Sequence, residues 1–242
     1  MDAIRIENLT KQYKDVTAVD GLHLSIQEGE LVSLLGVNGA GKTTTIKMLC
    51  CLVQPTAGDA WILGHDILRE ADAIKKLIGV SPQETAVAPG LTVMENLELM
   101  CGVYGFDQEK TRAKTKELTR MLDLGGVSCK KAGKLSGGWQ RRLSIAMALI
   151  GEPKILFLDE PTLGLDVIAR RELWDIIQSL KGKITVILTT HYMEEAEALS
   201  DRIAIMKDGR LLVCATANEI KEMTDADSFE KAFIRVVKGE KK

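Results

Sequence analysis

The chain has 242 residues, with 32 basic against 34 acidic side chains for a net charge of −2, and it is 45% hydrophobic and 27% charged. That balance gives no electrostatic ground for non-specific nucleic-acid binding, so no nucleic acid is expected as a partner, and the apolar content can form a core without disulfide staples. The cysteines, at positions 50, 51, 101, 129 and 214, form no C-x-x-C pair and fit a reduced, cytoplasmic chain. No apolar run approaches the roughly 18–20 residues that span a bilayer, and Asp2, Arg5 and Glu7 interrupt any apolar leader.

The first quarter alternates. Ile4 and Ile6 flank Arg5, and Leu22, Leu24 and Ile26 flank His23 and Ser25, which predicts half-buried strands. Leu31 to Leu35 is a short, mostly apolar run ending at Gly36, as in a strand of a parallel sheet buried on both faces. A helix is expected from about Gly41 to Leu52. A turn should follow at Pro55 and Gly58, then a strand at Trp61-Ile62-Leu63. From about 90 to 150 the texture changes. Val93, Leu97 and Met100, then Leu118, Met121 and Leu122, fall at helical spacing amid many charges, so a helical lobe is expected inside an α/β core. After Pro153 the rhythm returns, with buried strands at Ile155–Leu158 and Ile184–Leu188 and a helix face at Leu173, Ile176, Ile177 and Leu180. Strands alternating with helices imply parallel pairing. Asp208-Gly209 between two apolar runs predicts a hairpin. The last fifteen residues are charged and expected at the periphery.

Gly36-Val37-Asn38-Gly39-Ala40-Gly41-Lys42-Thr43 fits G-x-x-x-x-G-K-[ST]. Glycines let successive backbone N–H groups turn inward on phosphate oxygens. Lys42 can place an ammonium on the β- and γ-phosphates, and the Thr43 hydroxyl suits Mg²⁺, which prefers hard oxygen ligands. The helix that follows aims its positive dipole end at the same anion. The motif says nucleotide binding and leaves the reaction open.

Leu156-Phe157-Leu158-Asp159-Glu160-Pro161 sets two carboxylates at the C-terminal end of a buried strand, the edge where open α/β sheets bind ligands. Asp159 suits Mg²⁺, and Glu160 suits a general base on an attacking water. Leu135-Ser136-Gly137-Gly138-Trp139 opens a further helix, with Ser136 as an N-cap and two bare amides forming a second anion-seeking end. Two such ends in one chain invite a dimer, in which the Ser136 end of one subunit closes on the nucleotide held by the Lys42 loop of the other.

Taken in order, these elements resemble the ATP-binding subunit of ABC transporters over essentially the whole chain. Gly36–Thr43 is similar to that family's Walker A loop, Ile155–Glu160 to Walker B and Leu135–Trp139 to its signature. Gln83, in Ser81-Pro82-Gln83-Glu84, stands where the family has its Q-loop glutamine. Pro161–Asp166 resembles the D-loop, His191 the switch histidine near the γ-phosphate, and Tyr13 the aromatic that stacks on adenine. The resemblance implies an α/β P-loop NTPase core with a mostly parallel sheet, an N-terminal antiparallel β subdomain and an inserted helical lobe. It would be a single ATPase domain over 1–242, with the core at 1–89 and 151–215, the lobe at about 90–150 and a peripheral segment at 216–242. ATP and Mg²⁺ are implied as cofactors. Gly36 to Thr43 with Thr44, and Ser136, Gly137 and Gly138, would touch nucleotide. Thr43, Gln83 and Asp159 would hold the metal, and Glu160, His191, Gln83 and Lys42 would carry catalysis.

The sequence departs from the family pattern at Val37, where proline is usual, at Trp139, where glutamine is common, and at Leu163, where a small or polar residue is usual. The stretches Arg141–Ala146 and His191–Glu197 are similar to the branch that serves ABC-2-type exporters. That implies export of a drug, lipid or polysaccharide-like substrate through a separate polytopic membrane permease. The chain would then sit on the cytoplasmic side, peripheral at the inner face of the cell membrane, in a head-to-tail dimer with a second ATPase subunit. The alternatives are a non-transport ABC ATPase acting on a ribosome, DNA or a protein complex, and a P-loop kinase. The kinase offers no account of Ser136-Gly137-Gly138.

Overall fold

A computed structural model describes residues 2–239; Met1 and the end of the C-terminal segment, Glu240 to Lys242, lie outside the described residues. In chain order the strands are β1 Asp2–Tyr13, β2 Val16–Gln27, β3 Leu31–Leu35, β4 Ala57–Ile62, β5 His65–Asp66, β6 Ile78–Ser81, β7 Ile155–Asp159, β8 Thr185–Thr190, β9 Arg202–Lys207 and β10 Arg210–Ala215. The helices are α1 Lys42–Leu49, α2 Ala71–Leu77, α3 Val93–Val103, α4 Gln108–Met121, α5 Gly137–Leu149, α6 Val167–Leu180, α7 Met193–Leu199, α8 Ala217–Met223 and α9 Phe229–Lys238. They form two compact units, one of residues up to Lys75 together with those from Lys181 on, the other of Lys76–Leu180.

The first unit holds two sheets. One is antiparallel in the order β2-β1-β4-β5. Its alternation is the one the sequence predicts: Ile4, Ile6, Leu22, Leu24 and Ile26 are buried, while Arg5, His23 and Ser25 face outward. In the other, β3 lies between β8 and β9 and runs parallel to both, with Leu35 opposite Thr190 and Ile205. Every side chain of β3 is buried, which explains a run without alternation. β10 returns antiparallel on β9 through Asp208 and Gly209, both at positive φ (49° and 78°), the conformation a two-residue hairpin turn requires.

The segment 216–242, expected at the periphery, does not lie loose where it is described. Ile220 of α8 and Phe229 and Ala232 of α9 are buried in one cluster with Leu35, Ile203, Ile205 and Ala215, and Phe233, Val236 and Val237 pack on it. Its charges occupy the other face of an amphipathic helix.

In the second unit β6 and β7 pair in parallel, Ile78 opposite Ile155 and Ser81 opposite Leu158. The helical stretch expected from about 90 to 150 contains α3, α4 and α5. Thr92 and Glu95 cap α3 reciprocally, and Asp107 caps α4. A groove of about 930 Å³ is lined by Met94 and Glu98 of α3 and by Thr111, Thr115 and Thr119 of α4. The Lys114 ammonium, nearly buried on α4, lies 3.0 Å from both Glu117 and Glu152.

Burial works against the charge on Lys114, but the bonds to Glu152 and Glu117 outweigh it and hold its pKa above the usual lysine value. The same bond holds the Glu152 carboxyl below the usual carboxylate range. A carboxylate with a depressed folded pKa stabilises the fold above its unfolded pKa and loses that contribution as pH falls through the folded one. Glu152→Gln should therefore lower the melting temperature at pH 7 by about 1–3 °C, with the gap to wild type closing as pH drops below about 4. Thermal scans between pH 7 and 3 check this; a gap that does not change with pH removes the ion pair as its cause.

Candidate nucleotide site

The Gly36–Thr43 loop joins β3 to α1 inside the first unit. The Gly36 N–H donates to Thr190 O at 3.3 Å, so the loop leaves the sheet while still bonded to the end of β8. Val37, Asn38 and Gly39 are exposed, whereas Ala40 and Lys42 are buried. Val37, which replaces the usual proline, is 52% exposed, so its side chain points away from the loop interior. Gly41 sits at φ 99° at the N-cap of α1, and a Cβ there would stand 2.4 Å from Ala18 O. A side chain is excluded at that position both by backbone conformation and by the approach of β2.

The Lys42 ammonium donates to Gly36 O at 2.6 Å and to Val37 O at 3.3 Å, so the loop wraps its own cation. Thr43 and Thr44 occupy the first turn of α1, half-buried, where helix N–H groups lack intrahelical partners. Thr45 closes the turn behind them with two bonds to Gly41 O. The arrangement can cradle a polyphosphate with backbone amides, one ammonium and a helix end.

His191 is brought to the same place, because it follows Thr190, the residue bonded to Gly36. Its ring lies 4.1 Å from that of Tyr192, and the Tyr192 N–H is held by the Thr190 hydroxyl at 2.9 Å. Tyr13 is at the tip of the β1–β2 hairpin opposite Val16, 44% exposed, with the Lys11 ammonium 5.0 Å from its ring centre. The strand it pairs with is the one whose Ala18 and Val19 press on Gly41.

The remaining candidates lie in the second unit. Asp159 ends β7, and Glu160 follows at φ 49°; both are 6% exposed. The positive φ turns the chain sharply out of the strand into Pro161. The Leu163 N–H bonds Glu160 O, and the Leu165 N–H bonds Thr162 O. Leu163, the departure in this loop, is 37% exposed. Ser136 stands at the N-cap of α5, exposed, with φ −63° and ψ 161°, yet its side chain makes no capping bond. The expected cap residue is thus in place without the expected cap. Gln140 instead ties the turn together, donating to Ala132 O at 3.0 Å and to Leu135 O at 3.4 Å. A Cβ on Gly137 would lie 3.7 Å from Leu165 Cδ2, and one on Gly138 3.2 Å from Ala169 Cβ. The helix end and the Pro161–Asp166 loop are therefore neighbours. Trp139 takes the Arg142 guanidinium against its ring at 4.7 Å.

Gln83 is exposed just beyond β6, and its main-chain carbonyl accepts from Arg141 on α5. Sequence reasoning missed Arg141. The doubled arginine was visible, but nothing in its spacing indicated a partner 58 residues away.

A profile of the family described as ABC transporter matches residues 19–163. The daunorubicin resistance ATP-binding protein DrrA3 of Streptomyces coeruleorubidus is 42% identical over 94% of this chain and 72% of that protein. The phospholipid-transporting ATPase ABCA3 of Homo sapiens is also 42% identical, over 90% of this chain but 13% of that much longer protein. Among solved structures, an ATP-binding subunit of an ABC transporter superposes with a TM-score of 0.85 at 26% identity, covering 97% of this chain and 99% of that one. A dimeric ATP-binding cassette in a post-hydrolysis state, bound to ADP and Pi, gives a TM-score of 0.79 at 31% identity, covering 88% and 98%.

Proposed function

This chain belongs to the ABC transporter family as an ATP-binding, ATP-hydrolysing domain, and on that footing we propose that it powers an exporter whose substrate path lies in a separate polytopic permease. The observation that carries nucleotide binding is the loop that wraps Lys42 between Gly36 O and Val37 O at the mouth of α1, and hydrolysis follows from the family. The export half is supported by the match to DrrA3, which covers most of both chains. Daunorubicin resistance in DrrA3 and phospholipid transport in ABCA3 favour a drug or lipid as the transported class. Among the described residues no helix is long and apolar enough to cross a membrane. In this reading the chain rests at the inner face of the membrane through its permease.

The proposed roles follow the residues. The loop amides from Gly36 to Thr44 and the Lys42 ammonium bind the phosphates, and Tyr13 stacks on adenine. Ser136, Gly137 and Gly138 cap the ATP held by a second subunit in a head-to-tail dimer. Glu160 takes the proton of the attacking water, oriented by Gln83, while His191 and Lys42 stabilise charge on the transferred phosphoryl group. Thr43, Gln83 and Asp159 offer a hydroxyl, an amide oxygen and a carboxylate, a hard-oxygen set that fits Mg²⁺. When bound, that ion neutralises charge on the phosphate oxygens.

The test is recovery of the tagged full chain, with a non-hydrolysable ATP analogue and Mg²⁺, from detergent-solubilised membranes of its source cell. A polytopic membrane protein in stoichiometric amount is expected. Ribosomes, DNA or a soluble assembly without any membrane protein would sink the transporter reading in favour of a non-transport ATPase.

A further inference from the structure

The second unit contains a junction that the motif reading does not use. Arg141, 5% exposed, lies on the second turn of α5 and forks its guanidinium onto two consecutive carbonyls, Pro82 O at 2.6 Å and Gln83 O at 2.7 Å. One helical turn further on, Ser144 shares a buried hydrogen bond of 2.9 Å with Ser81. Before that, β6 itself lies directly on the helix backbone, because a Cβ on Gly79 would come within 2.3 Å of Ala148 O. The end of β6 is thus fixed to α5 at Gly79, Ser81, Pro82 and Gln83.

The geometry at Gln83 is specific. Its Cα stands between two planar peptide groups, and the guanidinium holds the carbonyl of each. Fixing both planes fixes φ and ψ of Gln83, and with them the direction in which its exposed side chain leaves the backbone. A charge-assisted fork is among the strongest ways to do this, and only arginine presents paired donors in one rigid plane. Beyond Glu84–Val87 the loop is held by another device. Asn96 of α3 accepts from the Ala88 N–H at 2.8 Å and donates to Ala88 O at 3.1 Å and Thr92 O at 2.8 Å.

We propose that Arg141 is the positioning residue for Gln83 in ATP hydrolysis. It makes α5 a single lever with Ser136-Gly137-Gly138 at its tip and the Q-loop glutamine on its shaft. Any shift of the helix end that meets a partner's nucleotide then re-aims Gln83 by the same rotation. The inference rests on the role given to Gln83 under the proposed function.

The experiment uses the full chain as wild type, Arg141→Lys, Gln83→Ala and the double variant. It reads kcat and KM for ATP together with amide hydrogen exchange across Gln83–Val87. Lysine keeps the charge but lacks two donor nitrogens fixed in one plane, so it does not lock both carbonyls in one geometry. Arg141→Lys should lower kcat roughly tenfold or more with KM changed less than about twofold, and should speed exchange in that segment. In the Gln83→Ala background the same substitution should cost nothing further, because its effect runs through the missing side chain. Should Arg141→Lys fail to fold, Arg141→Gln, which is shorter and uncharged, carries the same expectations. Additive losses, unchanged exchange, or a raised KM at intact kcat would each overturn the inference. Gln83→Ala impaired beside Arg141→Lys at the wild-type rate removes Arg141 alone. Gln83→Ala at the wild-type rate, or a wild type without ATPase activity, removes the role of Gln83 and the inference with it.

Discussion

Lys42→Ala should weaken ATP binding at least about 30-fold. Lys42 is 6% exposed, and its ammonium stands inside the loop that would receive the phosphates. Truncating one partner of a buried, hydrogen-bonded charge pair costs about 2–5 kcal/mol, which weakens affinity roughly 30-fold to several thousand-fold. The same substitution removes the lysine donor from Gly36 O, while Val37 O keeps the Ala40 N–H at 3.1 Å. Leaving such a group unsatisfied costs about 1–3 kcal/mol of stability, so the melting temperature should also fall by several degrees. Titration with a fluorescent ATP analogue, at a temperature where circular dichroism shows the variant folded, separates the two effects. An affinity equal to wild type would end the assignment of this loop to phosphate binding.

The second large effect is at Glu160. Glu160→Gln keeps size and shape and should tolerate the φ of 49° as glutamate does, so the fold and ATP binding should survive. What disappears is the ability to take a proton from water. A positioned general base contributes about 10²–10⁴-fold, and turnover should fall by that factor. With binding intact and hydrolysis blocked, the two-subunit state should accumulate and run as a dimer on size exclusion with ATP and Mg²⁺. Turnover at the wild-type rate would take the role of base from Glu160; lost turnover with a monomer at saturating ATP would leave the base in place and remove the head-to-tail closure.

Much of this is legible in the sequence. The strand, glycine-rich loop and helix at 31–49 follow from an apolar run, a motif and a lysine, all within twenty neighbouring positions. The Asp208-Gly209 turn follows from two residues that accept positive φ. What stayed hidden depends on contacts between distant positions or on hydrogen-bond choice. Ser136 has the right residue type for a cap and the right backbone, but a residue type cannot say whether its hydroxyl bonds the helix or stays turned outward. Arg142 reads as a solvated surface charge, yet it is nearly buried between the Trp139 ring and the carboxylates of Glu172 and Asp123. The positive φ of Glu160 carries no glycine to announce it. The C-terminal helix is a different kind of miss. Phe229, Ala232, Phe233, Val236 and Val237 fall at i, i+3, i+4, i+7 and i+8, a readable stripe that the surrounding lysines and glutamates obscured.

The discontinuity of the first unit bears on how the protein is made. β3, which carries the phosphate loop, pairs with strands more than 150 residues further along the chain, and the Gly36 N–H donates to Thr190 O. Contacts of such long range are slow to form, because the loop they close must lose its freedom before they return anything. The second unit, continuous from Lys76 to Leu180, has emerged from the ribosome before β8 exists. A nascent chain ending short of Thr190 therefore holds the entire glycine-rich motif without the strand that gives it shape. Competence for nucleotide arrives late in synthesis, although its sequence is among the first to be translated.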